Sequence, residues 1–220
     1  MRWNRDWGLY LVADETHFRQ GMIEDAMVRA LRGGVQIVQL REKHCSDFEF
    51  ESLARRALHA ARPYGVPVIV NDRVEVARVT GAHGVHLGQS DASPVMARQT
   101  LGADALIGWS VESEDQARAA SALDVDYLGV SSVFATQTKS NLRRIWNLDG
   151  LRALRSITRL PLVGIGGISE DNAASVIRAG ADAVAVISSF GAHEDWKSKA
   201  ERLSLQINNA RKSPEGEADA

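Results

Sequence analysis

Apolar runs of strand length recur along the chain at 9–13 (LYLVA), 35–40 (VQIVQL), 66–70 (VPVIV), 83–87 (HGVHL), 105–109 (ALIGW), 125–130 (VDYLGV), 160–165 (LPLVGI) and 182–187 (DAVAVI). Between these eight runs lie segments rich in Ala, Leu, Arg and Glu that read as helices, at 21–32, 47–62, 72–80, 112–122, 149–158, 169–179 and 193–211, with a shorter one at 92–101. The junctions repeat too. Arg32-Gly33-Gly34-Val35, Thr80-Gly81-Ala82-His83-Gly84-Val85 and Ala179-Gly180-Ala181-Asp182-Ala183-Val184 each close a helix at glycine and enter a strand. Ser46 or Asp47 before Phe48, and Ser169-Glu170-Asp171 before Asn172, place a capping oxygen and acidic charge at a helix start.

Alternating strands and helices imply parallel strands with helices outside. Eight such units fit a closed (β/α)8 TIM barrel, an α/β fold, with an open doubly wound sheet as the alternative. One domain over 1–212 is expected, followed by a disordered polar tail at 213–220. The one long connection, 131–148, holds Thr136-Gln137-Thr138-Lys139 and has the length of a functional loop or lid.

Several strand runs end at polar groups: Gln39-Leu40-Arg41-Glu42-Lys43, Asn71-Asp72-Arg73, and His86-Leu87-Gly88-Gln89-Ser90-Asp91. In a parallel barrel those carboxyl ends form the active-site rim. Period-two alternation sets Ile37, Gln39, Arg41 and Lys43 on one side of the second strand. Facing inward, the last three converge on the mouth; facing outward, they are surface ion-pair residues. Asp72 and Asp91 follow adjacent strands, so their carboxylates can share one rim position and suit Mg²⁺, which takes one or two protein carboxylates plus substrate phosphate oxygens. Each is also a plausible helix N-cap.

His83 and His86 are three apart on a strand and point to opposite faces, so they are not a zinc pair. His86 can reach the rim, whereas His17, His44, His59 and His193 read as surface or loop residues. Val163-Gly164-Ile165-Gly166-Gly167-Ile168-Ser169 ends strand seven and starts a helix, so backbone amides and a helix N-terminus can meet a phosphate there, beside Ser188-Ser189 after strand eight. Two anion sites result. One is neutral, from amides and serines, and the other is cationic and metal-assisted, from Arg41, Lys43, Asp72, Asp91 and Lys139.

Composition narrows the partners. A formal charge of -2 and a pI near 6.3 provide no basic field for nucleic acid. The first residues lack a signal-type apolar run and no stretch has membrane-spanning length, so a cytoplasmic protein with no membrane partner is expected. Cys45 is the only cysteine, which excludes an internal disulfide and a thiolate cluster within one chain. Homo-oligomer formation is left open.

In the order and combination of its motifs the chain resembles the thiamine phosphate synthase family from Leu9 to about Phe190. The matching stretches are Tyr10-Leu11-Val12-Ala13-Asp14, Val38-Gln39-Leu40-Arg41-Glu42-Lys43, Val70-Asn71-Asp72-Arg73-Val74, Gly84-Val85-His86-Leu87-Gly88-Gln89-Ser90-Asp91, Phe134-Ala135-Thr136-Gln137-Thr138-Lys139 and Val163-Gly164-Ile165-Gly166-Gly167-Ile168. The resemblance implies a transferase of a non-methyl alkyl group with small-molecule substrates. It would join hydroxymethylpyrimidine diphosphate to a thiazole phosphate, or its carboxylated form, and release diphosphate by a dissociative course needing positioning and electrostatic stabilisation rather than a protein nucleophile.

Carried over by motif, Asp72 and Asp91 would bind Mg²⁺, and Arg41, Lys43, Asn71 and Lys139 would contact the diphosphate. Gln39 and Ser110 would help hold the pyrimidine or the diphosphate side, and Thr136, Thr138, Gly166 and Ser188 would hold the thiazole phosphate; His86 and Ser189 are further substrate-binding candidates. Arg41, Lys43, Lys139 and Ser110 are the expected catalytic set. The chain departs from the family at Ser131-Ser132, where Gly-Pro is usual, at Ala135 for proline, at Asn141 for Asp, and at Glu112, where many relatives carry His or another polar residue. Two competing readings are a thiazole tautomerase, which would not need the metal pair, and a non-catalytic phosphate-ligand sensor. A sugar-phosphate epimerase would want a central acid/base pair, which Arg41 with Lys43 and the 136–139 segment serve poorly.

Overall fold

In the computed structural model, which describes residues 2–14, 23–136, 144–187 and 195–212, all eight apolar runs become parallel strands. They are β1 (Leu9–Asp14), β2 (Ile37–Arg41), β3 (Val68–Asn71), β4 (Gly84–Leu87), β5 (Leu106–Val111), β6 (Tyr127–Ser131), β7 (Leu162–Ile165) and β8 (Ala183–Val186). Each pairs with the next, and β8 returns to β1 through Leu9↔Val184, Tyr10↔Ala185 and Leu11↔Val186, which closes the barrel and rules out the open sheet. The described helices are α1 (Ile23–Arg32), α2 (Asp47–Ala61), α3 (Val74–Thr80), α4 (Pro94–Leu101), α5 (Glu114–Ala119), α6 (Asn147–Ile157), α7 (Ala173–Arg178) and α8 (Trp196–Lys212). None of them is long and apolar enough to cross a membrane.

The strands are nearly continuous apolar runs because both faces are buried. Leu11, Ala13, Val38, Leu40, Val68 and Val70 point outward and pack with Met27, Phe50, Leu154 and Leu203 of the helices. Tyr10, Val12, Ile37, Ile69, Leu106, Tyr127, Val163, Ala183 and Ala185 fill the interior as a separate cluster. Near the amino ends that cluster is sealed by Trp3 and Trp7. Trp3 lies 4.9 Å from the Tyr127 ring, and the two indoles meet edge-on at 5.3 Å. Arg2 and Arg98 both reach the buried Asp126 carboxylate, at 2.8 and 2.7 Å, pinning this end of the chain across the barrel base.

The local signals behave as their chemistry requires. Gly34, Gly81 and Gly180 at the helix-to-strand junctions have positive φ, at 104°, 70° and 104°. Ser46, not Asp47, caps α2: its side chain accepts from Glu49 N, and Glu49 answers by accepting from Ser46 N at 2.8 Å. Most boundaries shift by one to three residues, and the helix start that moves furthest is the one after β7. The segment after β7 does not become helical at Ser169, because Ser169 N donates to Asn172 Oδ1 (2.9 Å) in a local turn, and α7 begins at Ala173.

Candidate active site

The bulky Tyr10 and Tyr127 form a floor. Above it the inward positions Gly129, Val163 and Ala185 are small, so a cavity of about 420 Å³ opens at the carboxyl ends of the strands. Gln39, Arg41, Lys43, Asn71, Asp72, His86, Asp91, Ser110, Thr136 and Gly166 all line it. Thr138, Lys139, Ser188 and Ser189 lie outside the described residues, as do His17 and His193. His44 and His59 are exposed, as a surface role requires. His83 accepts from Val68 N through Nδ1 (3.1 Å), away from the cavity. Among the described residues, no group of three or more His, Cys, Asp or Glu side chains is placed to hold a metal.

The inward phase of β2 follows from its register. Tyr10, Val12 and Asp14 pair with Ile37, Gln39 and Arg41, and Ile37 is buried in the inner cluster. Arg41 Nη1 lies 3.4 Å from Oδ2 of the buried Asp14, which steadies the guanidinium at the rim. Asp14 carries no role in the sequence reading, although it closes β1 in register with Arg41.

Neither aspartate is a helix cap. Asp72 sits at φ 62°, outside α3, and its N–H donates to His86 O at 2.9 Å. Ser93 caps α4 by accepting from Met96 N, while Asp91 Oδ2 accepts from Gly88 N at 2.6 Å. A non-glycine residue held at positive φ is a local cost that persists only where the surroundings fix it. Here it brings the Asp72 carboxyl into hydrogen-bond contact with Asp91. Burial, the hydrogen bond from its neighbour and that neighbour's charge push Asp72 up to about 6, against the pull of Lys43 and Arg41.

Two hard oxygen donors this close need a proton or a cation between them. Metal-free protein should therefore lose stability as pH rises from about 4, the ordinary Asp value, to 6, because folded Asp72 holds its proton more tightly than the unfolded chain. Thermal unfolding in chelator from pH 4 to 7 checks this. Asp72→Asn should abolish that component, and excess Mg²⁺ should reverse it.

Beneath the rim runs a buried hydrogen-bond chain. Gln39 Nε2 donates to Tyr10 Oη (2.7 Å), Tyr10 Oη meets Tyr127 Oη (2.9 Å), Tyr127 Oη meets His86 Nδ1 (2.9 Å), and His86 Nε2 meets Ser110 Oγ (2.8 Å). Burial raises the pKa of both tyrosines, so they stay protonated. Tyr10 accepts from Gln39 and shares a second hydrogen bond with Tyr127, in which either hydroxyl can donate. Tyr127 and Ser110 thus hold the imidazole of His86 from both ring nitrogens, with the donor at each bond set by the tautomer.

Tyr10 and Tyr127 escape the sequence reading because each sits within an apolar run. The available signal is a hydroxyl in phase with the inward residues Val12 and Gly129. Tyr127→Phe should cost about 1–3 kcal/mol by leaving His86 Nδ1 and Tyr10 without a shared partner. Denaturant unfolding measures that loss.

The turn after β7 packs against the start of the 131–148 connection. Val133 N and Phe134 N donate to Ile165 O and Gly166 O at 2.9 and 3.0 Å. At the far end of that connection, Trp146 N and Asn147 N donate to Ser132 O and Val133 O at 2.9 and 3.0 Å, so the base of the loop is tied shut. The helix after β7 starts only at Ala173, seven residues beyond Gly166, and is six residues long, so this half of the mouth relies on backbone turn geometry instead of a helix end.

Residues 9–190 match the model of the thiamine monophosphate synthase family. The chain belongs to that family. A thiamine-phosphate synthase of Albidiferax ferrireducens is 49% identical over 190 residues, covering 85% of each chain. One of Natronomonas pharaonis is 43% identical over 201 residues, covering 90% of this chain and 94% of that one. Among solved structures, the thiamine phosphate pyrophosphorylase of Pyrococcus furiosus superposes with a TM-score of 0.84 at 32% identity, covering 94% of this chain and 98% of that one.

The peptide between Ser131 and Ser132 is cis. Ser132 Oγ donates to Phe134 O (2.5 Å) and occupies the space that a Cβ on Gly166 would enter, only 1.9 Å away. Gly166, at φ 98°, is thus required by both its backbone conformation and this serine.

Proposed function

We propose that this transferase family member is a Mg²⁺-dependent thiamine phosphate synthase acting on hydroxymethylpyrimidine diphosphate and a thiazole phosphate, plain or carboxylated. The observation that carries the reading is the convergence in one cavity of the Asp72–Asp91 carboxylate pair with Arg41 and Lys43, across from the Gly166 turn. The donor set fits the metal, since both ligands are carboxylate oxygens already close enough to hydrogen bond. Asp72 and Asp91 would hold Mg²⁺, which would supply positive charge to the departing diphosphate.

Arg41 and Lys43 hold the same oxygens and stabilise the charge that builds as the methylene C–O bond breaks. Asn71, buried at the end of β3, orients the diphosphate. Gln39 and Ser110 position the pyrimidine, whose electron-rich ring shares the developing positive charge. The thiazole nitrogen then donates its lone pair to the methylene carbon, forming the C–N bond, and diphosphate leaves with the electrons of the broken bond. Thr136 and the Gly166 turn hold the thiazole phosphate so that this nitrogen faces the carbon, and Thr138, Lys139, Ser188 and Ser189 are assigned to complete the two anion sites.

Both substrates together should yield thiamine phosphate and one equivalent of diphosphate, with one equivalent of CO2 as well when the thiazole is carboxylated, and chelation should stop the reaction. Mg²⁺-independent exchange of a thiazole proton with no diphosphate released would instead mark a tautomerase.

A further inference from the structure

Helix α3 begins with a residue that helix starts disfavour. Its N-cap is Arg73, at φ −89° and ψ 87°, and no side chain accepts from the first turn. Ser, Thr, Asp or Asn would satisfy an orphan N–H there, and a cation meets the positive end of the helix dipole. A local rule broken this way is a mark of a side chain serving something else.

The Arg73 side chain leaves its own helix and crosses to the connection after β2. Nη2 donates to Glu42 O (3.2 Å) and Cys45 O (2.9 Å), Nη1 donates to Asp47 Oδ1 (2.8 Å), and the guanidinium lies 5.1 Å from the centre of the buried Phe50 ring. These contacts embrace residues 42–50, the stretch that carries Lys43 and starts one residue beyond Arg41. On its backbone side Arg73 is equally fixed: its N–H donates to Asn71 O at 2.7 Å, directly after Asp72 in its positive-φ conformation. One side chain therefore joins the strand end bearing Asn71 and Asp72 to the loop bearing Lys43.

We infer that Arg73 is a positioning residue that sets the cationic and carboxylate halves of the diphosphate site at a fixed separation. The inference rests on the proposed function, because it presumes that both halves bind one anion. Arg73 does not line the cavity, so it acts through Lys43 and Asp72 rather than on the ligand. Lysine cannot replace it, since a single ammonium cannot serve two carbonyls and a carboxylate while lying flat on an aromatic ring.

The test is calorimetric titration of inorganic diphosphate with Mg²⁺, and separately of thiazole phosphate, into the full chain and its Arg73→Gln and Arg73→Lys variants. Both variants should bind magnesium diphosphate about tenfold or more weakly, the scale expected when binding groups are misplaced by a fraction of an ångström. Affinity for thiazole phosphate should stay within about twofold, because the Gly166 turn does not touch Arg73. Phe50→Leu keeps an apolar side chain in the core and removes only the ring face; it should weaken diphosphate in the same selective way, and it carries the test if the Arg73 variants do not fold. Wild-type affinity for magnesium diphosphate in the folded variants, or equal weakening of both ligands, would overturn the positioning role while leaving the proposed function standing. Failure of the unmodified protein to bind magnesium diphosphate would remove both.

Discussion

Asp91→Ala is expected to reduce Mg²⁺-dependent turnover by about 10³-fold, the upper range for removing one preorganised electrostatic partner of a transition state. The fold should survive. Asp91 accepts one backbone N–H, from Gly88, so its removal costs about 1 kcal/mol in local hydrogen bonding. The catalytic loss has two sources. On the proposed reading a carboxylate ligand disappears, and Asp72, whose pKa burial still raises, loses the hydrogen bond and charge of its neighbour and is left as one carboxylate to offer a cation. Steady-state rates across a Mg²⁺ titration, with circular-dichroism melting of the same sample, separate the two effects. Full activity in a folded Asp91→Ala protein would sink the metal assignment.

Gly108→Ala is expected to disrupt the hydrogen-bond chain beneath the site. A Cβ there would stand 2.1 Å from Tyr127 Cζ, 2.3 Å from Tyr127 Oη and 2.5 Å from His86 Nδ1, closer than real Cβ contacts come. These atoms are not free chain ends. They belong to the buried chain that runs from Gln39 to Ser110, and Gly129 approaches the other side of the same imidazole, where a Cβ would lie 2.8 Å from Cε1. The ring cannot retreat either way. Overpacking costs about 1–3 kcal/mol, and the broken Tyr127–His86 bond adds a further 1–3 kcal/mol or so. A stability loss of about 3 kcal/mol or more should therefore accompany a fall in kcat, read by urea unfolding and by kinetics at saturating substrates. A Gly108→Ala protein of wild-type stability and rate would mean that the chain beneath the rim has no part in orienting Ser110.

Much of this was open to a reading of the chain alone. Eight apolar runs with helices between them leave few alternatives to a barrel, and the two-residue period of β2 already places Gln39, Arg41 and Lys43 on the side of the buried Ile37. What the pattern lacks is partnership across the barrel. Tyr10 and Tyr127 are 117 residues apart, and only closure of the sheet brings their hydroxyls to 2.9 Å. The same holds for Asp14 with Arg41, and for Trp3, which lies before the first strand yet seals the base under Tyr127.

The aspartates show a different gap. Local rules favour Asp72 and Asp91 as helix caps, because a polar residue after a strand and before a helix looks alike in either role. The backbone decides between them: positive φ takes Asp72 out of the cap position and hands that place to Arg73, and Ser93 caps α4 two residues after Asp91. The helix after β7 is legible only to within a turn, since the Asn172 side chain competes for the Ser169 N–H that helix formation would otherwise use.

The most direct test is electron density for crystals grown with Mg²⁺ and diphosphate. A diphosphate held by Arg41 and Lys43, with a metal ion bridging its oxygens to Asp72 and Asp91, is the predicted result. Diphosphate bound solely at the Gly166 turn, or seated at the rim with no metal between the two aspartates, would contradict the account.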